Sequence, residues 1–508
     1  LEGVPLSAAW KADFLDSVPQ GFEMPGIAAC GVYLPRLRLQ RKAIFEANAW
    51  FAPGLRGAAR GERTMANWDE DALTMAVEAG RNCLAGVDPL RERGHVDALY
   101  FASTTAPFAD RSNAAVAARA LSLPERIASL EVASSQRAGL GALMAGVDAV
   151  RSGRASAPLV IAGEKRKSRA ASIQELSYGD GAAALLLGAH DTAAEIIGTH
   201  ALTIDFVDHF RSAGEDFDYG WEERWIRDEG YGKLVPATVR ALLEKSGVSG
   251  ADIAHLILPC PFAGLDKQLA SRCGIDPARV RDNLVGVVGD TGAAHALLML
   301  AHALEEAAPN EKILVAQFGQ GCDAVLLETT DDVARLRDTR TVAGALARGK
   351  PEANYMKYLA FNDLIEIEKG MRAEVDRRTA LSVLYRKNDM LMGLVGGQCR
   401  VCGTAQFPRS RVCVNPNCGA IDSQDPYSFA EREGTVLSWS ADFLTYTIAP
   451  PNHYGMITFA EGGRLMADIT DVDQGDVESG RKMRMVFRIK DFDEKRGFRR
   501  YFWKAAPV

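Results

Sequence analysis

Four cysteines fall within twenty residues. Cys399 and Cys402 are separated by two residues, Cys413 and Cys418 by four, and the two pairs by ten. Two such knuckles on turns place four thiolates tetrahedrally around Zn²⁺ at ~2.3 Å. Gly403 and Gly419 follow the second cysteine of each pair, where a tight turn favours positive φ. Four protein ligands leave no position for water, so the expected zinc is structural and stabilises a small domain with little core of its own. The competing reading is four unrelated free thiols in a loop. A different chemistry is available upstream. In Asp205–Arg211 (DFVDHFR), His209 follows Asp208 and has an ordinary pKa close to working pH, which suits proton transfer. In Gly289–His295 (GDTGAAH), Asp290 opens a helix, where its charged form is stabilised; the plainer reading is a helix cap. His295 lies in an Ala/Leu-rich helix and reads either as a base or as a satisfied core histidine.

These residues need a frame. Residues 24–330 alternate apolar runs (Gly26–Leu34, Val96–Ala102, Pro158–Ala162, Lys312–Phe318) with Ala/Leu-rich helical stretches (Asp71–Leu84, Ala138–Val150, Ala293–Ala307). That alternation predicts an α/β domain around a buried sheet. The region also echoes itself: His95–Thr104 in Asp252–Pro261, Arg137–Val150 in Asp290–Leu304, and Gly179–Gly188 in Gly319–Glu328. Three echoes in one order predict two similar halves, 24–194 and 195–335. Residues 336–396 read as a helical linker, with helices over Asp363–Arg372 and Arg377–Leu394. Residues 397–422 read as the zinc unit. Residues 423–508 contain period-two stretches such as Arg484–Lys490 and Phe498–Lys504, which predict strands with one buried face.

The bulk numbers exclude several classes. A chain of 508 residues with 47% hydrophobic and 25% charged residues is globular and multidomain. No run reaches the ~18 to 20 apolar residues that cross a bilayer, so no membrane partner is expected. The net charge of −7 argues against a nucleic-acid coat. Basic residues mixed with aromatics over Arg481–Lys504 suit single-strand binding, but Asp491, Asp493 and Glu494 interrupt the run. A solvated face or contact with the phosphates of a ligand is the preferred reading. Five further cysteines, scattered in apolar or Gly-rich surroundings, read as reduced thiols of a cytoplasmic protein. Residues 1–23 lack the pattern of a secretory signal and read as an extension outside the fold.

Gly31–Arg36 (GVYLPR), Ala66–Asp71 (ANWDED) and Gly179–Ala184 (GDGAAA) resemble the 3-hydroxy-3-methylglutaryl-CoA synthase family of the thiolase superfamily. The part from Cys399 onward, with Phe407-Pro408-Arg409, resembles the zinc-ribbon/OB-fold units found with thiolase-like enzymes. The resemblance implies a duplicated, five-layered α/β/α/β/α domain followed by a zinc ribbon and an all-β OB fold. It also implies an acyl-CoA substrate, coenzyme A as co-substrate, and a homodimer.

The family's catalytic groups are not matched residue by residue. Its nucleophilic Cys falls at Gln136, with Ser135 one residue away, and its general-base Glu falls at Thr104. Its His falls at Pro259, ahead of Cys260, and its Asn falls at Asp290. A thiolase-type pocket without the Cys still holds a thioester carbonyl in an oxyanion hole and stabilises an enolate. Donors for that hole are sought at Gln136, Gly319 and Gly321.

The expected function is therefore an acyl-CoA-dependent enzyme that cleaves or forms a C–C bond on a β-keto or β-hydroxy acyl substrate without a Cys acyl-enzyme, in the retro-Claisen or retro-aldol sense or the reverse. His209, Asp290, Gln136, His295 and Cys260 are the candidate catalytic residues; Thr104, Ser135, Gly319 and Gly321 are the candidate substrate or oxyanion residues. Two alternatives stand beside it: an acyltransferase, thiolase or synthase using Cys260, Cys322 or Ser135, and a non-catalytic acyl-CoA-binding scaffold for a partner enzyme.

Overall fold

Most strands at the centre of the sheet are buried on both faces and those at its margin are not, and the aliphatic and β-branched runs form the strands. In the first half these are β1 (Gly26–Tyr33), β2 (Ala98–Ala102), β3 (Ala128–Val132), β4 (Pro158–Glu164) and β5 (Gly181–Gly188). In the second half β6 (Ala194–Thr203) leads into a two-stranded hairpin, β7 (His209–Phe210) and β8 (Tyr219–Gly220), followed by β9 (Ile253–Ile257), β10 (Lys312–Phe318) and β11 (Gly321–Thr329). The structure is a computed structural model that describes residues 24–337, 341–375 and 380–508; the expected extension 1–23 lies outside the described residues. Among these residues no helix is long and apolar enough to cross a membrane.

One nine-stranded sheet runs β9-β10-β11-β6-β1-β5-β4-β2-β3. Its midpoint is the antiparallel pair β1–β6, with Gly26 opposite Glu195 and Ile27 opposite Ala194. Outward from that seam the pairing repeats. β1–β5 and β6–β11 are antiparallel, as are β5–β4 and β11–β10, while β4–β2 and β10–β9 are parallel. The three sequence echoes therefore fall on equivalent elements of two halves.

Helices α1 (Ala72–Cys83) and α2 (Asn113–Ala120) cover the outer face of the first half, and α4 (Val235–Ser246) and α5 (Leu265–Arg272) that of the second. Between the halves lie α3 (Ala138–Arg151) and α6 (His295–Glu306). Both are apolar almost all round, as buried helices must be. A Cβ on Gly139 would stand 2.0 Å from the Ala293 carbonyl oxygen, so only glycine lets the starts of the two central helices meet. That contact positions the site.

The C-terminal part begins with a three-stranded ribbon, β12 (Val395–Cys399), β13 (Ala405–Gln406) and β14 (Gln424–Ser428). Then β15 (Glu433–Asp442), β16 (Asn452–Phe459), β17 (Arg464–Asp468), β18 (Lys482–Asp493) and β19 (Phe498–Pro507) form an antiparallel sheet ordered β17-β16-β15-β18-β19. An Ile469–Ala505 bridge curls it toward the five-stranded barrel of an OB fold.

Two expectations change here. The linker helix lies at Tyr355–Phe361, and Asp363–Arg372 is irregular except for one 3₁₀ turn; Asp363 sits at φ 54°, which ends the helix. Within the stretch expected to be helical over 377–394, two short helices, α7 (Leu381–Arg386) and α8 (Asn388–Met392), are broken at Lys387 (φ −117°); residues 376–379 lie outside the described residues. The basic strands are the second change. One side of them is not solvated, because it docks on the start of α1, while Lys482 and Lys490 stay exposed as expected. Arg488, fully buried, pairs with Glu70 and Asp471 at 3.0 Å each, and Lys504 with Asp69 at 2.9 Å. Asp71 caps α1 through Thr74 and also takes Arg499 and the Tyr501 hydroxyl. Further along α1, Arg81 binds Glu78, Glu431 and the Met485 and Ala430 carbonyls.

Candidate active site

The chain enters α3 through a strained turn. Ser134 is left-handed (φ 71°), a conformation costly for a residue with a Cβ and found where surrounding structure enforces it. The Ser135 hydroxyl donates to the Gly319 carbonyl at 2.8 Å, and Arg137 Nε donates to the same oxygen at 2.9 Å. Arg137 is itself pinned by Asp323 at 2.6 Å. A Cβ on Gly319 would meet Ser135 Oγ at 2.9 Å, so glycine is required by this close approach. The Gln136 carbonyl accepts from Gln317 at 2.7 Å. With its backbone fixed, Gln136 stands at the start of a buried helix, where the dipole favours negative charge.

The Gln136 amide nitrogen lies 3.3 Å from His209 Nε2. The other ring nitrogen, Nδ1, lies 2.9 Å from Asp208 Oδ2. That bond fixes the tautomer, with Nδ1–H toward the carboxylate and Nε2 carrying the lone pair toward Gln136. Burial alone would lower the His209 pKa; the hydrogen bond and charge of Asp208, with Asp218 behind, outweigh it and raise the pKa above 6.5. The β7–β8 hairpin holds the dyad, with His209 opposite Gly220 and the Trp221 N–H on the Asp208 carbonyl at 2.9 Å.

Around this pair the strand ends converge. Glu164, the last residue of β4, accepts from the N–H groups of Thr104 at 3.2 Å and Ala293 at 3.3 Å, and from the Thr105 hydroxyl. Its burial pushes its pKa up, against the Arg166 charge. Gly292 (φ 53°) is the floor: a Cβ there would stand 2.5 Å from Gln136 Oε1 and 3.1 Å from Glu164 Oε2. Asp290 receives the Gly292 N–H at 2.8 Å and pairs with Arg166 at 2.9 Å. Burial would raise its pKa, but Arg166, then His295, hold it at about 2. Arg166 stacks 3.6 Å from the Tyr178 ring, whose hydroxyl donates to Asp218 at 2.8 Å. Arg211 bridges Asp218 and the Thr104 carbonyl. Five buried polar atoms here have no partner: Thr104 Oγ1, Gln136 Oε1, Arg166 Nε, Asp208 Oδ1 and Gln317 Oε1.

Gln136, His209, Thr104 and Asp290 are thus gathered in one network. The other candidates are held elsewhere or already engaged. His295 accepts from the Thr291 N–H at 3.1 Å on Nδ1 and donates to the Asn283 carbonyl at 2.8 Å, so both nitrogens are spent, and burial lowers its pKa. Cys260 is buried in the outer cluster with Tyr231, Phe262 and Phe318, and burial pushes its thiol up to about 12, as it does Cys322. The Gly319 N–H is given to the Gly321 carbonyl at 3.0 Å. Gly321 serves strand packing, since a Cβ would stand 2.1 Å from the Leu202 carbonyl. Glu164, Arg166, Tyr178, Asp218 and Gln317 were missed in the sequence. The signal available for two of them was charge directly after a buried strand, Gly163-Glu164-Lys165-Arg166, because ligands of α/β sheets bind at carboxyl ends of strands.

In the ribbon the sulfurs of Cys399, Cys402, Cys413 and Cys418 lie within 4.8 Å of one another, with Cys399–Cys418 at 3.9 Å and Cys402–Cys413 at 3.6 Å. A tetrahedron with ~2.3 Å metal–sulfur bonds has edges of ~3.8 Å. The four thiolates fit a structural Zn²⁺.

Comparison with known proteins finds three matched segments. Residues 243–328 match the 3-oxoacyl-[acyl-carrier-protein] synthase III C-terminal model, 393–421 the ChsH2 rubredoxin-like zinc ribbon, and 427–488 the ChsH2 C-terminal OB-fold domain. A hydroxymethylglutaryl-CoA synthase of Caldivirga maquilingensis is 28% identical over 354 residues, covering 68% of this chain and 99% of that protein. The solved structure of MvaS in complex with 3-hydroxy-3-methylglutaryl coenzyme A superposes with a TM-score of 0.57 at 19% identity, over 66% of this chain and 91% of the other. Synthase III (FabH) of Pseudomonas aeruginosa gives 0.54 at 20% identity, over 60% and 98%. These structural likenesses establish the fold.

Proposed function

The chain is an HMG-CoA synthase-like thiolase-superfamily domain joined to a ChsH2-type zinc ribbon and OB fold, and on that premise we propose that it cleaves or forms a C–C bond next to a CoA thioester through an enolate, without an acyl-enzyme. The carrying observation is the His209 imidazole set between Asp208 and the amide of Gln136. For a β-hydroxyacyl-CoA, His209 Nε2 takes the hydroxyl proton. The O–H electron pair becomes the new carbonyl bond, the Cα–Cβ bond breaks, and its pair enters the thioester as an enolate. The imidazolium then returns the proton to Cα, so atoms and electrons balance. For a β-keto substrate the same nitrogen deprotonates the water that adds to the β-carbonyl; the tetrahedral oxyanion re-forms its C=O as a carboxylic acid while the Cα–Cβ bond breaks, and the enolate that leaves takes its proton from the imidazolium.

The Gln136 carboxamide and the start of α3 supply positive potential for the enolate oxygen; one such donor is worth ~3 to 4 kcal/mol of barrier. Thr104 Oγ1 is a second polar contact for substrate. Asp290, held near pKa 2 by Arg166, is too weak a base and acts as the counter-charge that fixes Arg166 and Gly292. A nucleophilic role for Cys260 or Cys322 is disfavoured by their raised pKa, since the thiolate is the reactive form.

A homodimer belongs to this reading. Strand β3 is the sheet's edge, and its residues Ala128–Glu131 are exposed, Leu130 by 47%; such an edge calls for a pairing partner, here a second copy. The test is incubation of the zinc-loaded chain with β-hydroxyacyl- and β-ketoacyl-CoA esters, with mass spectrometry of small molecules and intact protein. Cleavage or condensation with unmodified protein is expected. A trapped acyl adduct returns the enzyme to ping-pong transfer, and esters bound without turnover favour the scaffold.

A further inference from the structure

A polar cavity of about 940 Å³ lies away from the proposed acyl site, between α2, the α7–α8 linker and the zinc ribbon. Its volume falls within the range of small-molecule sites. Three carboxylates line it, and all are tied to arginines: Asp389 and Glu125 to Arg119, and Asp422 to Arg411. Three more cations, Arg386, Lys387 and Arg409, also line it. Among the described residues none of these three has a carboxylate partner, and Arg409 reaches only the Gln424 carbonyl, at 2.6 Å.

The independent observation is Gln424. It lines the same cavity, is 3% exposed, and neither its amide nitrogen nor its amide oxygen has a partner. A buried amide left wholly unpaired costs free energy unless something binds it. Tyr385, 83% exposed, presents an aromatic face at the rim. Uncompensated guanidinium and ammonium groups suit phosphate, an unpaired amide suits the mixed donors and acceptors of a heterocycle edge, and an exposed ring suits stacking.

We propose that this cavity binds a small organic polyphosphate carrying a planar heterocycle, of nucleoside-diphosphate size, at a site distinct from the acyl site. Two sources share that chemistry: a free nucleotide and the nucleotide end of a CoA ester.

The test is calorimetric titration of the full zinc-loaded chain with ADP, with tripolyphosphate and adenosine as separate arms. ADP is expected to bind more tightly than either fragment. The R386E/K387E double variant changes exposed side chains, so zinc content and thermal unfolding should match the parent, while ADP affinity falls about tenfold or more, as loss of charge-assisted bonds dictates. A K42E control on the helix Arg41–Asn48, which has no part in the cavity, should leave affinity unchanged. Displacement of ADP by CoA assigns the site to the ester's nucleotide end, and co-binding assigns it to a free nucleotide; either supports the proposal. It is overturned if neither ADP nor tripolyphosphate binds the parent chain, or if ADP affinity is undiminished in the double variant. Since no acyl turnover is read, failure here leaves the enolate reading standing.

Discussion

Two buried regions of this molecule are crowded with charge, and they differ in whether the charges are finished. Where the OB fold docks on α1, each major group has its opposite: Arg488 with Glu70 and Asp471, Lys504 with Asp69, Arg81 with Glu78 and Glu431. The two atoms left over, Asp69 Oδ1 and Arg488 Nε, face each other at 3.8 Å. At the start of α3 five buried polar atoms instead point at no protein partner. A closed network specifies one geometry and resists change, whereas an open one is completed by something from outside. The seam therefore holds domains together, and the open cluster is where the proposed function places substrate.

That contrast can be broken from either side. Arg488→Ala should cost about 3 to 5 kcal/mol in chemical denaturation, because it strands Glu70 and Asp471 without their cation. An unchanged midpoint would dissolve the seam's structural role. His209→Gln should do the reverse, lowering turnover by about 10²- to 10⁴-fold while costing only about 0.5 to 1.5 kcal/mol of stability, the worth of the hydrogen bond to Asp208. Gln136→Leu should slow the chemical step by about 10²-fold or more if its amide holds the enolate oxygen, with KM for the CoA ester little changed.

The pH effects are smaller and opposite in sign. Arg81 and Arg93 overcome burial and hold Glu431 at about 2, so the stability it gives is present above its ordinary 4.5 and lost as pH falls through about 2. His209 is raised, so its contribution to stability is full below 6.5 and fades as pH rises through the higher folded value. Turnover should rise over that same limb, since the neutral ring is the base. A rate profile flat from pH 6 to 9 would remove His209 from the proton transfer.

What could be read from sequence follows the range of the forces involved. The repeat showed because each half satisfies the same local periodicities, and the four cysteines because one ion constrains short spacings. Asp208 and His209 were visible as neighbours. Glu164, Arg166, Tyr178 and Asp218 were not, because they come together only when strand ends and the β7–β8 hairpin meet across the sheet. The strands around Arg488 and Lys504 looked solvated for the same reason: their partners Asp69 and Glu70 lie more than four hundred residues upstream. The ANWDED stretch, noticed as a family-like motif, supplies the acids of the seam.

The central claim is that an enolate forms on a CoA thioester with no covalent help. Deuterium exchange at Cα of an acyl-CoA, followed by NMR in heavy water alongside intact-protein mass, tests it directly. The parent and the C260S/C322S double variant should both exchange the α-hydrogen with no mass added to the protein, and His209→Gln should not. Exchange that depends on either cysteine, or that is accompanied by an acyl adduct, would contradict the account.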